Sequence, residues 1–353
     1  TYSYTYDLCG RQVSKTDSYG TTTYSYDAAG HVLQVNMPGK TSVFTYDAAG
    51  NRASLTEEYT SAKSLDSTIV DFVAENMLQY NSKVVSYSYS DCNELLSVSE
   101  KMYNDDTFVV EKSTNYSYDN NGNQYMTINS LAYPQAEEST SIELVTEGSV
   151  TSGYVSMTQC AFDGFNRLIS ISKIEGSDIS TTSYMYNGDG LRTQKTVVSA
   201  DSTEETTDYL YDGQYVVAES GDTTATYVRG LSYIAKIGVS NGIDYYLYNA
   251  HGDVTQLVNA AGTIRNQYDY DIFGETILSV EETENSIQYS GEFLDESAGL
   301  YYLRARFYNP TTGRFISEDS YKGDIKDPAS LNLYTYCHND PINFSDPSGH
   351  SSK

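Results

Sequence analysis

Aromatic and small polar residues alternate in short bursts along this chain, and each burst ends in the same turn. Thr23 to Gln34 reads TYSYDAAGHVLQ, and Val43 to Ser54 reads VFTYDAAGNRAS. Tyr24 and Tyr26, like Phe44 and Tyr46, stand two positions apart and so share one face of a strand. Ser25 or Thr45 takes the other face. The Asp of Asp-Ala-Ala-Gly starts a reversal by bonding its own backbone, and Gly30 or Gly50 supplies the positive φ where the chain re-enters the second strand. The returning strand then brings an apolar residue six positions after the Asp: Val13 after Asp7, Leu33 after Asp27. Each such unit is expected to be a β-hairpin.

The hairpins recur on a fixed step. Tyr6-Asp7, Tyr26-Asp27 and Tyr46-Asp47 are spaced by 20 residues. A period of this size marks a stacked or wound repeat in which no single unit buries its own apolar face. Looser copies continue to about residue 275: Ser117–Tyr125, Ala161–Ser170, Ser183–Arg192, Asp208–Val217, Tyr245–Val258 and Tyr268–Glu275. One copy, Ser86–Leu96, is slipped, with Ser90 where the Asp should follow Tyr89. Polar stretches such as Ser139–Ser152 and Ser199–Thr207 read as longer strands and surface loops. Only Val70–Tyr80 has a mildly helical pattern. The expectation is an all-β fold, with about ten YD-repeat hairpins wound as one continuous sheet over residues 1–275.

Composition agrees. The chain holds 36 Tyr among 353 residues, with 10 Phe and no Trp. The apolar fraction of 39% includes Tyr; without it about 29% remains, thin for a conventional core. Tyr, with an apolar body and a polar tip, suits a sheet face that is packed yet partly wet. No run of about 18 apolar residues exists, so no membrane span is expected. The net charge of −27 disfavours nucleic acid and anionic membrane surfaces as partners. It fits a soluble repeat wall, or an acidic lining that holds a basic cargo.

Scattered chemistry excludes more than it suggests. Cys9, Cys92, Cys160 and Cys337 form no CxxC, which argues against zinc and against a dense disulfide framework. His31, His251, His338 and His350 lie beside turns without spaced ligand partners. Asp119–Asn123 looks superficially like a calcium loop, but Gln124 stands where such a loop needs Gly, so a hairpin turn is expected. No Ser-His-Asp set, metal cluster or phosphate loop is present, and no cofactor is expected.

The last quarter changes character. It carries Gly299-Leu-Tyr-Tyr302, Arg306-Phe-Tyr-Asn-Pro310, Gly313-Arg-Phe315, Asn332-Leu-Tyr-Thr-Tyr336 and Asp346-Pro-Ser-Gly349. In order and spacing this segment, residues 287–350, resembles the core domain that ends Rhs and YD-repeat proteins, and the upstream Tyr-Asp units resemble the repeats of the same family. The Asp-Pro-Ser-Gly-His ending is similar to versions from Gram-positive bacteria.

The resemblance implies a β-sheet shell, or cocoon, that encloses a toxic domain encoded just after the core. It also implies an internal aspartyl protease that frees the toxin. Aligned on the motifs, its carboxylates would be Asp319 and Asp346, with the cut after His350. Arg306 or Arg314 would fix one carboxylate through a charge-assisted bond. Asn332–Tyr336 would return the chain to the site as a strand. Two positions depart from the family pattern: Ser320 follows the first Asp in place of Pro, and His350 stands in place of Leu. An alternative role for both acids is to cap turns and latch the end of the shell.

Size sets a limit. About 20 strands at roughly 4.8 Å each make a ribbon about 95 Å wide, which closes into a ring about 30 Å across. A folded domain of about 100 residues is itself wider than roughly 30 Å. The chain, which opens inside a repeat with an edge near Thr1–Tyr6, therefore reads as the final part of a larger shell. Residues 351–353 would begin the variable region. The expected partners are its own C-terminal toxin and upstream shell repeats, at a secreted or cell-surface location. Rows of Tyr able to stack on sugars offer a second reading, a glycan-binding adhesin.

Overall fold

The computed structural model describes residues 2–64, 79–132, 156–222, 224–238 and 242–350. It forms two compact units: one of residues 1–119, 124–159 and 173–178, the other of residues 120–123, 160–172 and 179–353. Both are built of antiparallel strands, and helix among the described residues is confined to short 3-10 turns. The helical pattern at Val70–Tyr80 falls largely outside the described residues. Its last residue, Tyr80, lies in a strand.

The first unit carries β1 (Ser3–Tyr6), β2 (Gln12–Asp17), β3 (Gly20–Tyr26), β4 (Val32–Met37), β5 (Lys40–Tyr46), β6 (Arg52–Ser64), β7 (Gln79–Tyr89), β8 (Leu95–Asn104), β9 (Thr107–Tyr118) and β10 (Gln124–Ala132). Each strand pairs with the next in chain order.

The expected turns are present and their chemistry is local. Asp27 Oδ1 accepts the Ala29 and His31 amides at 2.8 and 2.9 Å, Gly30 donates to the Asp27 carbonyl at 3.2 Å, and Gly30 has φ +99°. The residue after the Gly bonds back to the same carboxylate: Arg11 Nε to Asp7 at 2.8 Å, His31 Nδ1 to Asp27 at 2.8 Å, Asn51 Nδ2 to Asp47 at 3.0 Å. At the slipped copy the hydroxyl of Ser90 does the work of the Asp, accepting the Cys92 and Glu94 amides at 3.2 Å each. Hydroxyls cap turns in the same way, more weakly.

Each hairpin carries a bulge just past its turn. Tyr26 pairs with Val32 but Ser25 pairs with Gln34, so Leu33 is the extra residue. Val32 and Val35 are the buried residues of β4, while Leu33 is only half-buried, because the bulge resets the alternation. The carbonyl beside the bulge is claimed by the next unit: Tyr26 Oη donates to Gln12 O at 2.6 Å, Tyr46 to Val32 O at 2.8 Å, and Tyr89 to Arg52 O at 2.8 Å. The Tyr of Tyr-Asp thus ties one hairpin to the one before it, which gives the 20-residue step a physical meaning. With so few aliphatics, this unit also buries charge: Glu57 lies between Lys40 and Lys83, 2.8 Å from the latter.

The second unit carries β13 (Asp178–Tyr186), β14 (Arg192–Val198), β15 (Glu204–Asp212), β16 (Tyr215–Gly221), β17 (Ala225–Arg229), β18 (Tyr233–Gly238), β19 (Gly242–Tyr248), β20 (Val254–Asn259), β21 (Ile264–Tyr270) and β22 (Thr276–Glu281). A small sheet follows: β23 (Phe293–Asp295), β24 (Leu300–Tyr302), β25 (Phe307–Asn309) and β26 (Arg314–Phe315). Strands β11 (Ser156–Phe162) and β12 (Leu168–Glu175) are divided between the units. The Tyr ladder recurs, with Tyr211 on Arg192 O at 2.8 Å and Tyr270 on Val254 O at 2.9 Å.

Alternation gives the small sheet two buried faces. Phe293, Tyr302 and Phe307 pack with Tyr184, Tyr209, Tyr227, Tyr246 and Tyr268 of the hairpins. Tyr301, Tyr308 and Phe315 pack on the other side with Tyr289, Tyr336 and Cys337. A buried ion pair pins the two sheets: Arg192 Nη1 lies 2.8 Å from Asp295 Oδ2, with its guanidinium 4.5 and 4.6 Å from the Tyr209 and Tyr302 rings. These tyrosine rows serve packing. Tyr24, Tyr26 and Tyr46 are half-buried, and the last two have their hydroxyls engaged by main chain.

Candidate functional site

Residues 303–319 run as a tight meander, and its bends bring together residues far apart in sequence. Arg306 precedes β25, and Asp319 lies four residues past β26, where its amide donates to Leu333 O at 3.1 Å. The ending Asp346-Pro-Ser-Gly349 folds into a turn on the same side. Asp346 Oδ1 accepts the amides of Ser348 (3.1 Å), Gly349 (2.9 Å) and His350 (3.2 Å), together with the Ser348 hydroxyl (3.1 Å). Gly349 is required there: its φ is +74°, and a Cβ would stand 2.5 Å from Leu303 O.

Arg306 is the hub. Its Nη2 lies 2.6 Å from Asp319 Oδ2, its Nη1 donates to Leu333 O at 2.8 Å, and its Nε donates to Gly349 O. The guanidinium is stacked 3.6 Å from the Phe315 ring. Arg306, one of the two arginines named for such a contact, is paired with Asp319. Arg314, in β26, places its guanidinium 5.5 Å from the Tyr334 ring. Asn332–Tyr336 is no strand: it is a turn that meets β26 through a single β-bridge, Arg314 to Thr335, with the Phe315 amide donating to Tyr334 O at 3.0 Å. Leu333 O is taken by Arg306 and by the Asp319 amide rather than by a neighbouring strand.

Asp319 and Asp346 are both buried, and together with Arg306 and His350 they line one open cavity of about 210 Å³. Both carboxylates bind His350. Asp319 Oδ1 meets the imidazole Nδ1 at 3.1 Å, and Asp346 Oδ1 takes the main-chain N–H. Burial opposes the charge on Asp319. The His350 hydrogen bond, the Arg306 charge and the Tyr321 amide (3.0 Å) outweigh it and hold the carboxyl below its usual range. Burial draws the Arg306 guanidinium down to about 10 against the pull of Asp319 and Asp346, so it remains charged at neutral pH.

Sequence reasoning missed Arg304 and Glu292. Arg304 Nη1 donates to Glu292 Oε2 and to Pro347 O, each at 2.6 Å. Nothing in the local pattern marks Glu292 as buried. No group of His, Cys, Asp and Glu able to hold a metal occurs among the described residues.

A family model, teneurin YD-shell, matches residues 64–342 of this chain. The chain belongs to the YD-shell family of Rhs/YD-repeat proteins. The match includes Asp319, Arg306 and Arg304, while Asp346 and His350 lie past its end. Among related proteins, this YD-shell chain is 30% identical over 294 residues to the tRNA3(Ser)-specific nuclease WapA of Bacillus spizizenii, covering 81% of the chain and 11% of that protein. It is 35% identical over 198 residues to the tRNA(Glu)-specific nuclease WapA of Bacillus subtilis subsp. natto, covering 54% and 8%. The YD-shell chain thus spans about a tenth of the length of these relatives. Both come from Bacillus, in keeping with the Gram-positive resemblance. A crystal structure of TcdB2-TccC3-Cdc42 aligns with 99% of this chain and 19% of its own, at 18% identity and a TM-score of 0.46.

Proposed function

We propose that this YD-shell segment is the closing part of a toxin-delivery shell, and that it cuts its own chain after His350 to free a C-terminal toxin. The observation that carries the reading is the convergence of Asp319 and Asp346 on one residue, His350, one through its ring and the other through its amide. Two carboxylates aimed at the residue before a peptide bond are the groups that acid–base hydrolysis needs. Asp319, held ionised, takes a proton from water as the oxygen adds to the His350 carbonyl carbon. Asp346 Oδ1, by holding the His350 amide, keeps that carbonyl in place for the attack. The C–N bond to the next residue then breaks, its nitrogen takes back the proton that Asp319 drew from the water, and His350 is left with a carboxyl group. Arg306 holds Asp319 and the Gly349 carbonyl throughout.

The kinship with WapA proteins supports a toxin domain and neighbouring shell repeats as partners, and a secreted location. Residues 287–350 would act as the processing module and the hairpins before them as wall. The buried tyrosine rows leave the glycan reading without support. The test is mass spectrometry of the full-length protein as wild type, Asp319→Asn and Asp346→Asn. Cleavage after His350 in the wild type, absent from both variants, is expected. An intact wild type, or equal cutting in all three, would remove the protease and leave a turn-capping latch.

A further inference from the structure

Three successive residues grip three successive carbonyls at the end of this domain. Arg304 Nη1 donates to Pro347 O at 2.6 Å, the Ala305 amide to Ser348 O at 3.3 Å, and Arg306 Nε to Gly349 O. Arg306 and its ion pair belong to the site already described. Arg304 is no part of that ion pair, yet it is held at as many points as Arg306. Its backbone takes φ +63°, a conformation that costs a non-glycine residue about 1 kcal/mol or more. Its Nε donates to Gln214 O at 3.3 Å, its guanidinium is 5.3 Å from the Tyr215 ring, and its Nη1 is shared with buried Glu292. Strain kept in place by this many contacts points to a fixed task. Pro347 has no N–H, so its carbonyl is the one main-chain group by which the residue after Asp346 can be gripped.

We propose that Arg304 is a positioning residue for the self-cleavage: through Pro347 it fixes the turn that aims Asp346 at His350, and Glu292 makes that hold depend on pH. The proposal rests on the cleavage reading above and extends it to a pair of residues outside the catalytic contacts.

Charge around Glu292 supports the second half. Burial, with Asp346 adding to it, raises its carboxyl to about 7 against the pull of Arg304 and Arg229. Tyr233 is the other titratable group that faces it, and it stays protonated at these pH values. Above about pH 7 Glu292 is a carboxylate and clamps Arg304 with a charge-assisted bond. Below that pH the carboxyl is neutral, the clamp weakens, and Arg304 is freer to leave Pro347.

The experiment follows cleavage of the full-length protein from pH 5.5 to 8.5 by mass spectrometry. Arg304→Ala should slow it roughly tenfold or more, the loss expected for one charge-assisted hydrogen bond. Arg304→Lys, which keeps the charge but not the fork, should fall between. In the wild type the rate should climb with pH through about 7, and Glu292→Gln, whose amide oxygen still accepts from Arg304, should flatten that climb. A purely structural role would move the rate without changing the pH profile. Hydrogen exchange at Ser348, Gly349 and His350 should quicken in Arg304→Ala, and if that variant does not fold, Glu292→Gln carries the test. Normal cleavage and exchange in Arg304→Ala, or an unchanged pH profile in Glu292→Gln, overturns the inference while the two aspartate variants stay inactive. An uncut wild type removes the cleavage reading, and this inference with it.

Discussion

Arg306 holds Asp319 by a 2.6 Å contact between Nη2 and Oδ2, with both side chains buried. Breaking a buried pair from one side leaves the partner charged and unmatched, at a cost of about 3 to 5 kcal/mol. Arg306→Met should therefore lower unfolding stability by several kcal/mol and abolish cleavage, whereas Arg306→Met with Asp319→Leu should recover much of the stability and none of the activity. Urea unfolding of the three proteins checks this.

The tyrosine ladder predicts a graded effect. Tyr46→Phe removes the bond to Val32 O and keeps the ring in place. A buried carbonyl loses that partner, so a loss of about 1 kcal/mol or more is expected. Tyr46→Leu should lose more, because the ring packs 4.7 Å from His31. Denaturant midpoints separate the two.

Glycines of similar φ should differ in cost. Gly30→Ala meets no atom within 4 Å and bears only the left-handed backbone penalty, about 1 kcal/mol. Gly349→Ala adds a clash with Leu303 O and must displace the turn on which Asp346 acts. The first variant should fold and cleave normally; the second should fold less stably and stop cleaving. Thermal melts paired with mass spectrometry distinguish them.

Glu57 sets an acid limit. Burial raises its carboxyl, but Lys83 and Lys40 prevail and bring it to about 2, below its ordinary 4.5. A folded-state pKa below the unfolded value means stability present above about pH 4.5 and lost as pH falls toward 2, on the order of 3 kcal/mol. Glu57→Gln should be destabilised at pH 7, and its deficit against the wild type should shrink by pH 3. An equal deficit at both values would show that the charge on Glu57 is not what stabilises this face.

What the sequence revealed follows the range of each interaction. Asp-Ala-Ala-Gly turns were legible because every bond in them lies within five residues, and Ser90 was not, because a hydroxyl cap has no distinctive signature. That Val32 and Val35 rather than Leu33 are the buried residues of β4 was not legible, since the bulge depends on pairing with another strand. Strands of two or three residues such as β26 (Arg314–Phe315) are too short to show a period. Asp319 and Asp346 were singled out through their motifs alone. Nothing local links Arg304 to Pro347, 43 residues on, or to Glu292.

Each hairpin has two unlike ends. At the Tyr-Asp end the connection is five residues in most units, from Asp7–Arg11 to Asp271–Glu275, and two residues after Tyr211-Asp212. At the opposite end two residues suffice between β2 and β3, while residues 65–78 intervene between β6 and β7 and 133–155 between β10 and β11. Insertions are thus accommodated on one margin without shifting the registry on the other. A gene for such a protein can gain or lose sequence at the plain margin, changing what the molecule displays there, while the spacing that hands each tyrosine to its neighbour is inherited unaltered.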